Sequence, residues 1–207
     1  MLNVLAKPKQ LEWDHANGFG YYPVDLTAHP YDDSYFEKYA GYAQTEMGKA
    51  LTKFRADLVD GLKPKNILDV GIGCGAFVEE MGRRHYVAYG TDINPKAVAW
   101  LTERKLLRSI DLKIDCATFF DSFEHLQYPM RAIRGVARFV AMSIPIFHDE
   151  AHALGSKHFR PDEHFYYWTQ AGLIRFMHFS GFELQQESNA ETLLGREGIS
   201  TFVFARR

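Results

Sequence analysis

Apolar runs alternate along the chain with stretches of helical spacing, and that alternation sets the expected architecture. Residues 66–70, 86–92, 112–120 and 136–144 read as strands. The last is almost unbroken apolar sequence, as expected of a central strand buried on both faces. Residues 77–84 and 95–106 read as helices, and a further helix is expected from 121 to about 135. One long helix is expected over 34–62, because Tyr35, Tyr39, Tyr42, Met47, Leu51, Phe54 and Leu58 recur near helical spacing. Ser34 with Glu37 makes a capping-box pattern at its start, and Gly61 and Pro64 end it. Pro145 is expected to end the strand at 136–144. Thr169 is placed to cap a later helix that Gly181 stops, and 182–188 and 199–206 read as two closing strands.

Residues 1–33 break this rhythm. Pro8, Pro23 and Pro30, with Gly18 and Gly20, discourage regular elements, yet Trp13, Phe19, Tyr21, Tyr22 and Tyr31 are too aromatic for a disordered tail. The expectation is an irregular aromatic segment packed on a body formed by 34–207, either as a plain anchor or as a lid.

The strand at 66–70 leads into Gly71-Ile72-Gly73-Cys74-Gly75-Ala76 and then into helical sequence. Strand, glycine turn and helix start make a nucleotide-sized corner: backbone approaches a ligand closely, and the helix start offers unpaired N–H groups. The glycines fit the dinucleotide pattern G-x-G-x-x-G/A. Asp69, two residues before the first glycine, argues against a pyrophosphate, which it would repel, and for a cationic ligand. Asp92 ends the next strand, where a carboxylate accepts both hydroxyls of a ribose; the alternative is a helix cap before Pro95.

LDVGIGCG, GTDINP and ATFFDSFEHL together resemble the class I S-adenosylmethionine (SAM)-dependent methyltransferases, and most of all their small bacterial and phage-encoded UbiG-like members. The resemblance spans roughly residues 34 to 205. It implies an α/β, Rossmann-like, mostly parallel sheet closed by an antiparallel C-terminal edge hairpin. It also implies that SAM is the cofactor, bound through Asp69, Gly71, Ile72, Gly73, Gly75, Asp92, Ile93 and Phe120. The helix at 34–62 borders the cofactor in the family, which puts Tyr35 or Tyr39 near its methionine end. The chain departs from the family after residue 106: only 107–111 stand where a third strand, its loop and a helix belong. The third-strand region is therefore expected to be shortened, with Asp111, Asp115 or backbone and an apolar slot holding the adenine.

Composition narrows the partners. A length of 207 residues suits one sizeable core, and 46% hydrophobic with 24% charged residues is ordinary for a soluble globular chain. A net charge of −2 lacks the basic face that broad nucleic-acid binding needs. Cys74 and Cys116 make no disulfide framework, and no stretch has the length of a signal-peptide core or a membrane span. A cytoplasmic monomer or homodimer acting on a small-molecule or nucleotide-type acceptor is the expectation.

Methyl transfer from a sulfonium needs alignment first, and a base only where the acceptor must lose a proton. Asp121 and His125, at the end of the strand at 112–120, are the candidate catalytic pair, with Glu124 a third; helix capping and a structural histidine are the plain alternatives. Residues 147–168 are read as a substrate loop, with His158, Arg160, His164 and Tyr166 as contacts. His148-Asp149-Glu150-Ala151-His152 invites a metal reading, but the match to zinc spacing is poor and no metal is expected. The competing functions are an NAD-linked oxidoreductase, which Asp69 opposes, and a SAM-binding partner subunit without turnover. DNA amino-methylation is disfavoured, because DSFE does not match D/N-P-P-Y/F.

Overall fold

The structure, a computed structural model, describes residues 10–24 and 33–207; the expectations that rest on Pro8, Pro30 and Tyr31 fall outside them. A hairpin of β1 (Glu12–Asp14) and β2 (Phe19–Tyr21) comes first. Helices α1 (Asp33–Gln44) and α2 (Glu46–Gly61) follow, then β3 (Ile67–Val70), α3 (Ala76–Arg83), β4 (Ala88–Thr91) and α4 (Pro95–Glu103). Strand β5 (Ile114–Phe120) leads through a 3₁₀ turn, Phe123–His125, to α5 (Pro129–Arg134) and β6 (Val136–Phe147). The chain closes with α6 (Glu150–Gly155), β7 (Tyr166–Thr169), α7 (Gln170–Phe179), β8 (Phe182–Ser188), α8 (Ala190–Leu193) and β9 (Ile199–Arg206).

All strands join one sheet, in the order β1-β2-β7-β6-β5-β3-β4, with β9 also on β6 and β8 on β9. The run β4, β3, β5, β6, β7 is parallel, whereas β9 lies antiparallel to β6 and the β8–β9 pair is the expected C-terminal hairpin. The Rossmann-like α/β reading therefore holds. The third-strand region is reduced to one parallel bridge, Leu107 on Gly90. Strands β3 and β5 are buried at every position, which is why their sequences carry almost no polar alternation. Two apolar layers flank the sheet: Leu68, Phe119, Val140 and Trp168 share one, and Ile67, Met81, Leu101, Cys116 and Ala141 the other. No described helix is long and apolar enough to cross a membrane.

Five expectations are corrected. The helix at 34–62 is two helices: Thr45 caps α2 by accepting from Gly48 N–H at 3.0 Å and donates to the Tyr42 carbonyl at 2.7 Å. Gly48 fixes the join, since a Cβ there would stand 2.2 Å from the Tyr42 oxygen. Ser34 lies inside α1 rather than before it. The helix at 121–135 is a 3₁₀ turn and a separate α5, because Pro129 disfavours helical backbone at Tyr128 (φ −125°, ψ 69°). The strand at 136–144 runs through Pro145 to Phe147. Ile146 N–H donates to Gly198 on the β9 side, so the Pro145 nitrogen faces the opposite side, where β5 has ended and β7 pairs only from Ile146. There the missing N–H costs no ladder bond. Finally, part of the stretch expected to be irregular forms β1 and β2, and β2 extends the sheet on β7.

Candidate active site

The glycine turn after β3 is the corner the sequence points to, and its three glycines have different reasons. Gly71 (φ +79°) lies against the chain after β5: a Cβ would stand 2.6 Å from Ser122 Cβ. Gly75 (φ +82°) faces the Trp100 ring, 2.7 Å from where a Cβ would be, and precedes α3 with no side-chain cap. Gly73 (φ +56°) has no atom within 4 Å of that position. Left-handed backbone favours glycine at all three, but of the three only Gly73 opens onto space that the described residues do not fill. Ile72 points the other way, buried where Gly90 leaves room for its side chain.

Two carboxylates stand at the strand ends next to this turn, Asp69 in β3 and Asp92 just after β4. Asp69, 3% exposed, accepts from Thr118 Oγ1 at 2.7 Å. Burial pushes its carboxyl up to about 7, against the hydrogen bond from Thr118 and the positive charge of Arg55. Asp92 accepts from Gly73 N–H at 3.1 Å and from Asn94 N–H at 2.8 Å, and burial raises its carboxyl too. The capping role considered for Asp92 belongs to Asn94, whose side chain accepts from Lys96 and Ala97 N–H ahead of Pro95. Ile93, beside Asp92, is 78% exposed, an apolar side chain standing open at the strand ends. Phe120 packs edge-on against Phe77 at 4.9 Å and under the Arg55 guanidinium at 4.7 Å.

Beyond β5 the backbone turns sharply at Asp121 (φ +60°). Its carboxylate takes Arg55 Nη2 at 2.7 Å and Arg196 Nη2 at 2.8 Å. Glu191, fully buried, takes Arg55 Nε at 2.8 Å, Arg196 Nη1 at 2.5 Å and Ser143 Oγ at 2.5 Å. Burial alone would raise the Asp121 carboxyl, but the two guanidiniums hold it down at about 2. Arg55, Glu191 and Arg196 are not among the residues the sequence singles out: they come from α2, α8 and the turn after α8, and no local spacing marks them.

The 3₁₀ turn and the chain entering β7 bring three more candidates together. Glu124 and His164 are buried, and His125 packs edge-on to His164 with ring centroids 4.5 Å apart. Burial pushes the Glu124 carboxyl up to about 8, with the charge of Asp121 adding to it, and pulls the imidazoles of His125 and His164 down to about 4 and about 2. The rest of the expected substrate loop spreads out. His158 Nε2 meets the Glu197 carbonyl at 2.8 Å, and Arg160 pairs with Glu163 at 3.4 Å. Tyr166 stacks on Trp168 at 5.2 Å. The loop is not without structure either, since it holds α6 and the start of β7. The histidine pair at 148 and 152 is a helix start: Asp149 caps α6 by accepting from His152 N–H, and His152 Nδ1 accepts from His148 N–H.

The fold agrees with what known proteins show. Residues 39–187 match the methyltransferase-domain family. The chain is similar to magnesium protoporphyrin IX methyltransferase from Synechocystis PCC 6803, solved with S-adenosylhomocysteine (SAH), at TM-score 0.62 and 13% identity over 88% of this chain and 99% of that one. It is also similar to 1,6-didemethyltoxoflavin-N1-methyltransferase from Burkholderia thailandensis, at TM-score 0.60 and 14% identity over 95% and 99%. The [4+2]-cyclase SpnF shares the fold as well, at TM-score 0.58 and 15% identity over 79% and 83%. No curated protein sequence matches the chain. The chain belongs to the methyltransferase-domain family and is a class I SAM-dependent methyltransferase. Its cofactor is SAM.

Proposed function

We propose that the chain methylates a small polar or nucleotide-type acceptor held at the carboxyl ends of β3, β5 and β6, and that its nearest functional kin are the UbiG-like enzymes. The observation that carries this reading is Gly73: no described atom lies within 4 Å of where its Cβ would be, and its N–H donates to Asp92 at 3.1 Å. SAM supplies an activated methyl group, so alignment is the protein's main task. In this reading Asp69 faces the cationic amino-acid end, and its carboxylate, costly to ionise alone, ionises when a positive charge comes beside it. Asp92 keeps an acceptor oxygen for each ribose hydroxyl. Ile93 lies along the adenine, which takes the place of an acidic contact from the shortened third-strand region. Phe120 walls the site.

The sequence suggests Asp121 as a base, and its two ion pairs favour a different role. A carboxylate gripped by two guanidiniums and held at about 2 is a poor proton acceptor near neutrality. Asp121 is instead a positioning residue that ties α2 to the turn after α8. His125 and His164 line the acceptor side, with Arg160 and Tyr166 behind them, and His158 fastens the loop to Glu197. Calorimetry with SAM, SAH and NAD tests the cofactor, and SAH release on a metabolite and nucleotide panel tests turnover. SAM binding without SAH release on any acceptor class would leave the proposed reaction unsupported, and tighter binding of NAD would overturn the reading.

A further inference from the structure

We propose that Glu124, His125 and His164 bind a divalent first-row transition-metal ion on the acceptor side of the cofactor corner. One carboxylate and two imidazoles present their ligand atoms within 4.8 Å of one another. Glu124 Oε1 stands 4.0 Å from His125 Nε2. The two rings cross at 83°, so they approach a common point from different directions.

The second observation is independent of the clustering. Glu124 Oε2 and His164 Nδ1 are buried and have no hydrogen-bond partner among the described residues, in side chains only 2% and 4% exposed. Buried polar atoms almost always find partners, because each unmet one costs a desolvation penalty. Here an orphaned carboxylate oxygen and an orphaned imidazole nitrogen belong to one cluster, and a single cation satisfies both. Their backbones are pinned: Phe165 N–H donates to the Glu124 carbonyl at 2.9 Å, and His164 N–H to the Arg160 carbonyl at 2.8 Å. His125 also hydrogen-bonds to the Glu163 backbone, the kind of outer contact that orients a ligating imidazole.

Charge and geometry agree with a bound cation. Asp121 adds negative charge nearby but is engaged by Arg55 and Arg196, so it is not a ligand. Arg160, whose charge opposes a cation, is paired with Glu163 at 3.4 Å. Ligands about 2.1 Å from a tetrahedral ion stand about 3.4 Å apart, so the widest pair closes by about 1.4 Å, within reach of side-chain rotation. Two nitrogens and one oxygen suit Zn²⁺, Co²⁺ or Mn²⁺ better than Mg²⁺ or Ca²⁺, which prefer all-oxygen sets. Three protein ligands leave coordination positions open. The acceptor class that fits them carries oxygen donors, a hydroxyl or a vicinal pair. That last step rests on the methyltransferase reading above; ion binding does not.

The test is metal content, read alongside SAM affinity. Chelator-stripped protein is dialysed against Co²⁺, Zn²⁺ or Mn²⁺ and assayed by mass spectrometry, visible absorption of the Co²⁺ form and thermal midpoint. The expected result is about one ion per chain, ligand-field bands in the Co²⁺ form and a raised midpoint. Glu124→Gln and His164→Asn should abolish all three, and His125→Ala, at the less buried ligand, should weaken binding by about tenfold or more. Failure of the folded wild-type chain to retain an ion overturns the proposal, as does retention undiminished in Glu124→Gln and His125→Ala. SAM binding without ion binding sinks the metal site alone. Ion binding without SAM binding sinks the cofactor corner alone.

Discussion

Replacing Asp69 by Asn should make the ligand-free protein more stable above neutrality and its cofactor complex weaker. The carboxyl sits at about 7 in the fold against 3.8 for the free group, because burial outweighs what Thr118 and Arg55 return. One pH unit is about 1.4 kcal/mol, so ionising this group in the folded state costs up to about 4 kcal/mol once the pH is well above 7. The folded state binds this proton more tightly than the unfolded chain. The contribution is therefore fully present below 3.8 and is lost as pH rises through 7. Asn keeps an oxygen to accept from Thr118 and has nothing to ionise. Urea unfolding at pH 5 and pH 8.5, each with and without SAM, reads the effect. Asp69→Asn should exceed the wild type at pH 8.5 by a few kcal/mol and by much less at pH 5, and should gain less from added SAM. A variant whose stability follows the wild-type pH dependence, or whose gain from SAM is undiminished, would refute the argument that this carboxylate is stored at a cost for a cation.

Three other outcomes follow from the same structure. Gly73→Val should lower SAM affinity beyond detection in calorimetry while costing the fold only about 1–2 kcal/mol for left-handed backbone, read as a small fall in thermal midpoint. Glu191→Ala removes the fully buried partner of two guanidiniums and should cost about 3–5 kcal/mol in urea unfolding. Thr45→Ala should cost about 1 kcal/mol by the same assay through the lost cap of α2, with SAM affinity unchanged.

What was legible in the sequence was local. Asp69, the alternate glycines and Asp92 announce themselves because a strand, a tight turn and a helix start constrain a few consecutive residues. The uninterrupted apolar runs of β5 and β6 identify the sheet centre for the same reason. The Arg55–Glu191 contact spans 136 residues and Asp121–Arg196 spans 75, so no pattern within either neighbourhood predicts them. The positioning role proposed for Asp121 rests on those distant partners. At Thr45 the apolar spacing runs on unbroken, and the restart of the helix shows in the Thr45 cap and in the close packing of Gly48 on Tyr42. Pro145 misled for a different reason. Whether a proline ends a strand depends on which neighbour its nitrogen faces, and that is a property of the sheet.

The long strand β6 forks the sheet, carrying β9 across Phe139–Pro145 and β7 only at Ile146 and Phe147. The opening hairpin reaches the rest of the sheet through β7, with Phe19 registered on Trp168. On a ribosome the β1–β2 hairpin therefore waits without its sheet neighbour until β7 has emerged, and this long-range closure ranks among the slowest steps of assembly. By the same topology this corner should be the first to exchange its amide hydrogens when the native protein breathes.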